Sequence, residues 1–206
     1  MLPAIFMTHS NSIKILLSFF LLCSFQISKA QTVYLHKDKI VITTKKGQSI
    51  LVTEGEIYLN KKLIYKYEED PIIYESKYNT LIEDNSTLLL FLTVSGSPNK
   101  DRIEAFRLTA TKAVNLVDAI ASKITDLDHD GYLEFGGADL TEVHPNKDSM
   151  YYIPTAYYEI KKGAIHLDAA LTKRKDIELN GIYLKQQLDK NGNCCKVIKK
   201  PRRAKK

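Results

Sequence analysis

One stretch of this chain has the residue types and the spacing to do chemistry: Asp126-Leu127-Asp128-His129-Asp130-Gly131-Tyr132-Leu133-Glu134. Carboxylates at alternate positions of a tight loop can all turn inward, and a glycine at the sixth position allows the sharp bend that brings them together. Calcium is a hard cation that takes roughly six to eight oxygens. The run supplies Asp126, Asp128 and Asp130, the backbone carbonyl of Tyr132, and Glu134, with water to complete the shell. Carboxylates this close repel one another unless a cation balances them, so Ca2+ is the expected cofactor. A competing reading needs no ion: an Asp-rich turn closed by hydrogen bonds from its own backbone.

The first six positions match an EF-hand, but position twelve is Gly137 where a bidentate Glu is required, and β-type runs rather than helices flank the loop. The loop instead resembles the calcium loops of FG-GAP or VCBS-type repeats, as in integrin-like β-propellers, where D-x-D-x-D-G-x-x-D/E joins two strands of a blade. That resemblance implies Asp126, Asp128, Asp130 and Glu134 as side-chain ligands and Tyr132 as a backbone ligand. It implies Ile124-Thr125 as the incoming strand and 133–137 as the outgoing one. It rests on a single loop, so it implies a blade-like hairpin and not a whole propeller. The chain as a whole is similar to small exported proteins of the Bacteroidetes type, a similarity that brings no activity with it.

The elements that must position this loop read as strands. Runs at 33–35, 39–44, 50–53, 56–59, 63–67, 72–75, 80–82, 88–94 and 103–108 are rich in β-branched and aromatic residues and are separated by turn signals such as Lys45-Lys46-Gly47 and Asn60-Lys61-Lys62. Leu88-Leu89-Leu90-Phe91-Leu92 is apolar on both faces and predicts a central strand. Val117, Ile120 and Ile124 stand at helical spacing, but the segment runs straight into the acidic loop, which favours a strand over 120–125. Beyond the loop, 157–160 and 164–167 predict a hairpin around Lys161-Lys162-Gly163, and 169–179 a helix ended by Gly181. The fold class is therefore mainly β, an antiparallel meander or partial propeller-like blades with a short C-terminal helix. Residues 31–198 read as one domain and 199–206 as a basic disordered tail.

Residues 15–25 are almost purely apolar, preceded by Lys14 and followed by Ser28 and Ala30 at the spacing a signal peptidase needs. A membrane-spanning helix needs ~20 apolar residues, so the run predicts a cleavable signal peptide over 1–30, a mature chain from Gln31 with no transmembrane span, and a periplasmic or extracellular location. Met7 as the start would give the leader more usual proportions. Lipidation at Cys23 is disfavoured by the bulky Leu22 before it. Cys194 and Cys195 then remain as an adjacent pair, for which a plain structural pair ranks ahead of a vicinal disulfide or a soft-metal grip. The formal charge of +6 is concentrated near the C-terminus: from Lys196 onward there are seven basic and no acidic residues, which leaves the body mildly acidic.

No nucleophile elbow, phosphate-binding glycine loop, zinc-binding helix or dinucleotide fingerprint is present. His36, His129, His144 and His166 are scattered and suggest no metal site. Asp189-x-Asn191-x-Asn193 begins like a calcium loop but has Cys194 where glycine belongs, and reads as an Asx turn. Tyr151-Tyr152-Ile153-Pro154-Thr155-Ala156-Tyr157-Tyr158 is the most aromatic segment and is expected to alternate into the core. Together these features predict an exported, non-catalytic calcium-binding β domain with a binding or envelope-structural role. Its partner class would be a surface glycan or an envelope protein, with no nucleic acid expected. The alternative is a secreted hydrolase whose site the ion braces.

Overall fold

The computed structural model describes residues 31–96, 99–138 and 145–201. The expected leader (1–30), the basic stretch from Arg202 on, His144 and two residues of the loop at 95–99 lie outside these. Among the described residues the architecture is mainly antiparallel β with one short helix.

Strands β1 (Thr32–His36), β2 (Lys39–Thr43), β3 (Ser49–Thr53), β4 (Glu56–Leu59) and β5 (Lys62–Lys66) form a five-stranded meander in chain order. Its tight connections include Glu54-Gly55 and Asn60-Lys61, with positive φ at both central residues. That backbone twist matches the twist of the paired strands, which is why two residues suffice to turn the chain. A second meander follows, β6 (Thr80–Asp84), β7 (Thr87–Val94), β8 (Arg102–Leu108) and β9 (Ala113–Ile120), again in chain order. A third sheet has the order β10-β12-β13, from β10 (Leu133–Ala138), β12 (Thr155–Lys161) and β13 (Ala164–Leu167). β11 (Ser149–Tyr151) leaves that sheet and pairs with β14 (Val197–Lys199), and helix α1 (Ala169–Asn180) follows β13.

The β6–β9 sheet is the middle layer. Side chains alternate across a strand, so β7 presents Leu90, Leu92 and Val94 to one face and Leu89 and Phe91 to the other. The first set packs with Ile40, Ile42, Ile50 and Val52 of the five-stranded sheet. The second packs with Ile103, Phe135 and Ile160 toward the third sheet. The doubly apolar run at 88–92 is thus an interior strand with two cores, as its sequence predicts. Phe91 meets Phe135 edge-on at 5.2 Å between ring centroids, and Phe135 stacks on Tyr158 at 5.7 Å.

Three elements differ from expectation. Residues 72–75 are not a strand: Ile72 makes a single bridge to Val94, Asp70 Oδ1 accepts the Ile72 N–H, and Asn79 Nδ2 donates to the carbonyls of Ile73 and Tyr74. Ladder-type backbone pairing is confined to the bonds of Ile73 N–H to the Thr93 carbonyl and Ser95 N–H to the Pro71 carbonyl, and side chains meet the other groups named. β9 ends at Ile120, where a strand was expected to begin: Ile120 pairs with Arg102, the first residue of β8, and the pairing goes no further than the Ala121 N–H donating to the Asp101 carbonyl. At the other end, β14 includes Lys199 and the Lys200 N–H donates to the Asp148 carbonyl, so the ordered chain continues into the expected tail. Cys194 and Cys195 are joined as a disulfide across a cis peptide bond rather than standing as a plain pair. The 157–167 hairpin and the helix with Gly181 at its C-cap form as expected. In the aromatic segment Tyr152 is fully buried while Tyr151 is exposed.

Candidate metal centre

The acidic loop spans the gap between the second and third sheets. Thr125 and Glu134 form an antiparallel bridge with both backbone hydrogen bonds made, at 3.0 and 2.9 Å, and this closes the loop at its base. The outgoing strand is β10, which begins at Leu133 and runs to Ala138. Phe135, the residue after Glu134, is fully buried between Phe91 and Tyr158. Successive strand residues point to opposite faces, so anchoring Phe135 in the core holds Glu134 toward the loop.

Gly136 secures the same strand from the next position. Its φ is +124°, and a Cβ built there would lie 2.1 Å from the Ala156 carbonyl oxygen of β12. Only glycine admits this close approach. The Gly136 N–H donates to Ser122 Oγ at 2.8 Å, which ties β10 to the segment leading into the loop.

Asp126, Asp128, Asp130 and Glu134 can each offer one carboxylate oxygen such that all four lie within 4.8 Å of one another. The fifth expected ligand residue, Tyr132, lies in the same turn, with its ring under Lys161 Nζ at 3.9 Å. The loop backbone donates to the carboxylates: His129 and Gly131 N–H to Asp126, Tyr132 N–H to Asp130 Oδ1, and Leu127 N–H to Glu134 Oε2 at 2.6 Å. The hydrogen bonds of an Asx-type turn are therefore present, but they do not account for the whole cluster. Asp128 Oδ1 and Glu134 Oε1 are buried and have no hydrogen-bond partner. A buried carboxylate oxygen left unpaired is costly, so these two atoms call for a cation, a proton or a hydrogen-bond donor.

The electrostatics agree. Glu134 is fully buried. Burial pushes its carboxyl above the ordinary range, the Leu127 N–H pulls it partly back, and the charges of Asp128, Asp130 and Asp126 push it further up. Two cations stand near the cluster among the described residues: Arg174 of α1, whose Nη2 is 3.4 Å from Asp128 Oδ2, and Lys161, which interacts with the Asp130 charge. A half-exposed guanidinium at that distance offsets little of four clustered carboxylates. The donor set is all oxygen, and a metal ion fits it. His129 takes positive φ and is exposed.

Sequence reasoning missed Arg174. Nothing in the spacing of α1 marks it, because its role depends on how the helix docks. That docking is polar: buried Asp176 accepts from the Thr155 N–H and hydroxyl and from Tyr152 Oη at 2.6 Å, and Asn180 bonds both the N–H and the carbonyl of Ile153. Thr172 Oγ1 accepts the Tyr157 N–H, and Asp168 caps the helix by accepting from Leu171 N–H. Asp176 and Asn180 sit one turn apart, which places both on one helix face toward the start of β12.

The second acidic turn behaves as an Asx turn. Asp189 Oδ1 accepts from the N–H groups of Asn191 and Asn193, and these bonds hold its carboxyl below the ordinary range. No protein-family model, curated protein or solved structure matches this chain.

Proposed function

We propose that this chain is an exported, non-catalytic β domain that binds one calcium ion in the 126–134 loop and serves a binding or envelope-structural role. One observation carries the ion: two buried carboxylate oxygens, Asp128 Oδ1 and Glu134 Oε1, lack partners inside a cluster whose ligand atoms lie within 4.8 Å of one another. Calcium is the favoured metal because every donor is a hard oxygen and the loop is irregular. Zinc selects nitrogen and sulfur, and magnesium demands a regular octahedron with retained waters. The Tyr132 carbonyl would supply a further oxygen. Export rests on the apolar leader in the sequence, and no helix among the described residues is long and apolar enough to cross a membrane.

The role assigned to the ion is mechanical. It would fix the loop that joins the second sheet to the third, and with it the entry of β10 between Phe91 and Tyr158. Thermal melting of metal-stripped protein, with calcium, magnesium or zinc added back, tests the reading. Calcium at a hundred times its Kd should stabilise by about 2.7 kcal/mol and raise the midpoint by several degrees. Magnesium should do so more weakly, and Asp128→Ala should abolish the effect. A midpoint that does not move with millimolar calcium, with no heat of binding by calorimetry, would remove the proposal.

A depression of about 580 Å³ adjoins the loop, lined by Asp84, Asn85, Tyr132 and Lys162 among others. In the alternative, a secreted hydrolase whose site the ion braces, this depression would hold the substrate. Turnover of a glycan, ester or peptide that is lost in Asp84→Asn while the calcium-dependent melting shift persists would favour that alternative.

A further inference from the structure

Strand β1 closes one side of the five-stranded sheet and leaves its outer edge open. It pairs with β2 over its whole length, and no other strand among the described residues bridges to it. Its position is fixed all the same, because Gln31 Nε2 donates to the Leu81 carbonyl of β6 at 2.9 Å and the ladder to β2 runs on to His36. Lys37-Asp38 is a two-residue turn between His36 and Lys39, and the residues that close such a turn exchange both backbone bonds. Counting back from that pair, Tyr34 and Thr32 bond to β2, while the N–H and C=O groups of Val33 and Leu35 point to the free edge.

The side chains alternate in the same way. Val33 and Leu35 lie opposite Ile42 and Ile40, on the core face of the sheet, yet they are 37% and 38% exposed where those isoleucines are fully buried. The cover over that face therefore stops at β2. Tyr34, on the outer face, is 66% exposed. Sheet edges are commonly blunted by charge or by bulges. At the opposite edge of this sheet, β5 carries Lys62 and Lys66 and shifts register against β4, and β6, at one edge of the middle sheet, carries Glu83 and Asp84. β1, Thr32-Val33-Tyr34-Leu35-His36, has no lysine, arginine or acid.

We propose that β1 pairs with β1 of a second copy of this chain, antiparallel about Tyr34, joining the two five-stranded sheets into one. In that register Val33 stands opposite Leu35 of the other copy and Leu35 opposite its Val33, so the outward N–H and C=O groups of each meet those of the other. Tyr34 meets Tyr34 in a non-hydrogen-bonded pair, the closer kind, and Thr32 meets His36, so no like charges oppose one another. On the core face, Val33 and Leu35 of both copies form one apolar cluster that neither copy completes alone. Any strand would satisfy the open backbone, but the two-fold arrangement also gives each exposed apolar side chain an apolar partner and makes every contact twice. The strand is short, so the contact falls below the ~800 Å² per partner of a stable complex and the dimer is a weak one. The proposal is independent of the metal loop, and its test is run in EDTA so that the two stand or fall separately.

The experiment is sedimentation equilibrium of the full chain, with circular dichroism to check that each variant is folded. The unaltered chain should show a monomer–dimer equilibrium with a Kd between about 10 μM and about 1 mM. Leu35→Pro removes an outward N–H and spares the bonds to β2, and should weaken the dimer at least ~10-fold. Tyr34→Lys and Tyr34→Glu should each do the same, by setting like charges directly opposite. An equimolar mixture of those two variants should associate again at least as tightly as the unaltered chain, because the proposed register places the opposite charges face to face. Should Leu35→Pro unfold, the charge pair carries the test, since Tyr34 is largely exposed. A chain that stays monomeric up to ~1 mM overturns the proposal. Association that none of the variants changes, or charge variants that mixing does not restore, overturns it in favour of another contact surface.

Discussion

Arg174 of α1 places its Nη2 3.4 Å from Oδ2 of Asp128, so the helix and the acidic loop touch through opposite charges. The contact follows from two separate anchorings: α1 is fixed to β12 by Asp176, Asn180 and Thr172, and the loop is fixed by the Thr125–Glu134 bridge. Arg174 is half exposed, so the pair itself adds at most a few tenths of a kcal/mol up to ~1. Its larger effect would fall on the proposed ion. A guanidinium beside a ligand carboxylate repels an incoming cation, and Arg174→Gln should therefore tighten calcium binding by a few fold. Calorimetric titration decides it, and weaker binding in the variant would mean that Arg174 instead orders the loop for the ion.

Glu134→Gln separates the cost of the buried charge from the value of the ion. Burial and three neighbouring carboxylates all oppose the Glu134 charge, and one oxygen has no partner. In EDTA the glutamine variant should melt at or above the wild-type temperature, since it removes an uncompensated buried anion. In saturating calcium the order should reverse, because the variant offers the ion a weaker ligand. A variant that melts lower than wild type in both conditions would show that Glu134 acts only through its bond to the Leu127 N–H.

Gly136→Ala should damage the protein from outside the ligand set. The new methyl would stand 2.1 Å from the Ala156 carbonyl oxygen at a φ of +124°. Overpacking of this kind costs ~1–3 kcal/mol and the backbone strain a similar amount, so a loss of at least ~2 kcal/mol in urea denaturation is expected. Because β10 would shift against β12, the calcium-dependent melting shift should shrink as well. Full retention of that shift would mean the loop holds its shape without β10.

Phe135→Ala tests the link between core and loop. The ring is fully buried and contacts Phe91 and Tyr158, so truncation should cost ~3–5 kcal/mol. Calcium affinity should fall too, since Glu134 would lose the neighbour that fixes its direction. Phe91→Ala, which opens the same core from the β7 side, should lower stability comparably and affinity less.

The acidic cluster was legible because its residues are local: four carboxylates at alternating positions and one glycine mark both the cluster and the bend. Most strands were legible for the same reason, and the doubly apolar run at 88–92 announced its interior position. What could not be read is whatever depends on distant partners. The side chains of Asp70 and Asn79 bond the backbone of the β-rich stretch at 72–75, which meets β7 over no more than a single bridge, and β9 ends close to where β8 begins. Arg174 and Asp176 are both charged residues of one helix, yet one is half exposed beside the loop and the other fully buried and accepting from three donors. Only the docking angle of α1 distinguishes them.

The last prediction concerns alkaline pH. Three of the twelve tyrosines donate to carboxylates at 2.6 Å: Tyr67 to Glu104, Tyr74 to Asp70 and Tyr152 to Asp176. Burial first, and then the hydrogen bond to an anion, raises each phenol, with Tyr74 pushed up to about 12 and Tyr67 and Tyr152 strongly raised as well. An unfolded tyrosine ionises near ~10. The unfolded chain therefore releases these protons at lower pH than the folded one, so their contribution to stability is intact below pH ~10 and is lost as pH rises toward the folded values. Tyr67 spans the first and second sheets, and Tyr152 ties β11 and α1 together, so losing these bonds should loosen both junctions. Absorbance of phenolate, followed against far-ultraviolet circular dichroism, should show a class of tyrosines that ionises only as the strands melt. Tyr67→Phe, which removes the bond to Glu104 but keeps the ring against Tyr65 and Phe106, should lower stability at neutral pH and flatten its decline above pH ~10. A wild-type protein whose tyrosines all ionise together, with no loss of structure, would show that these carboxylate bonds do not hold the sheets in register.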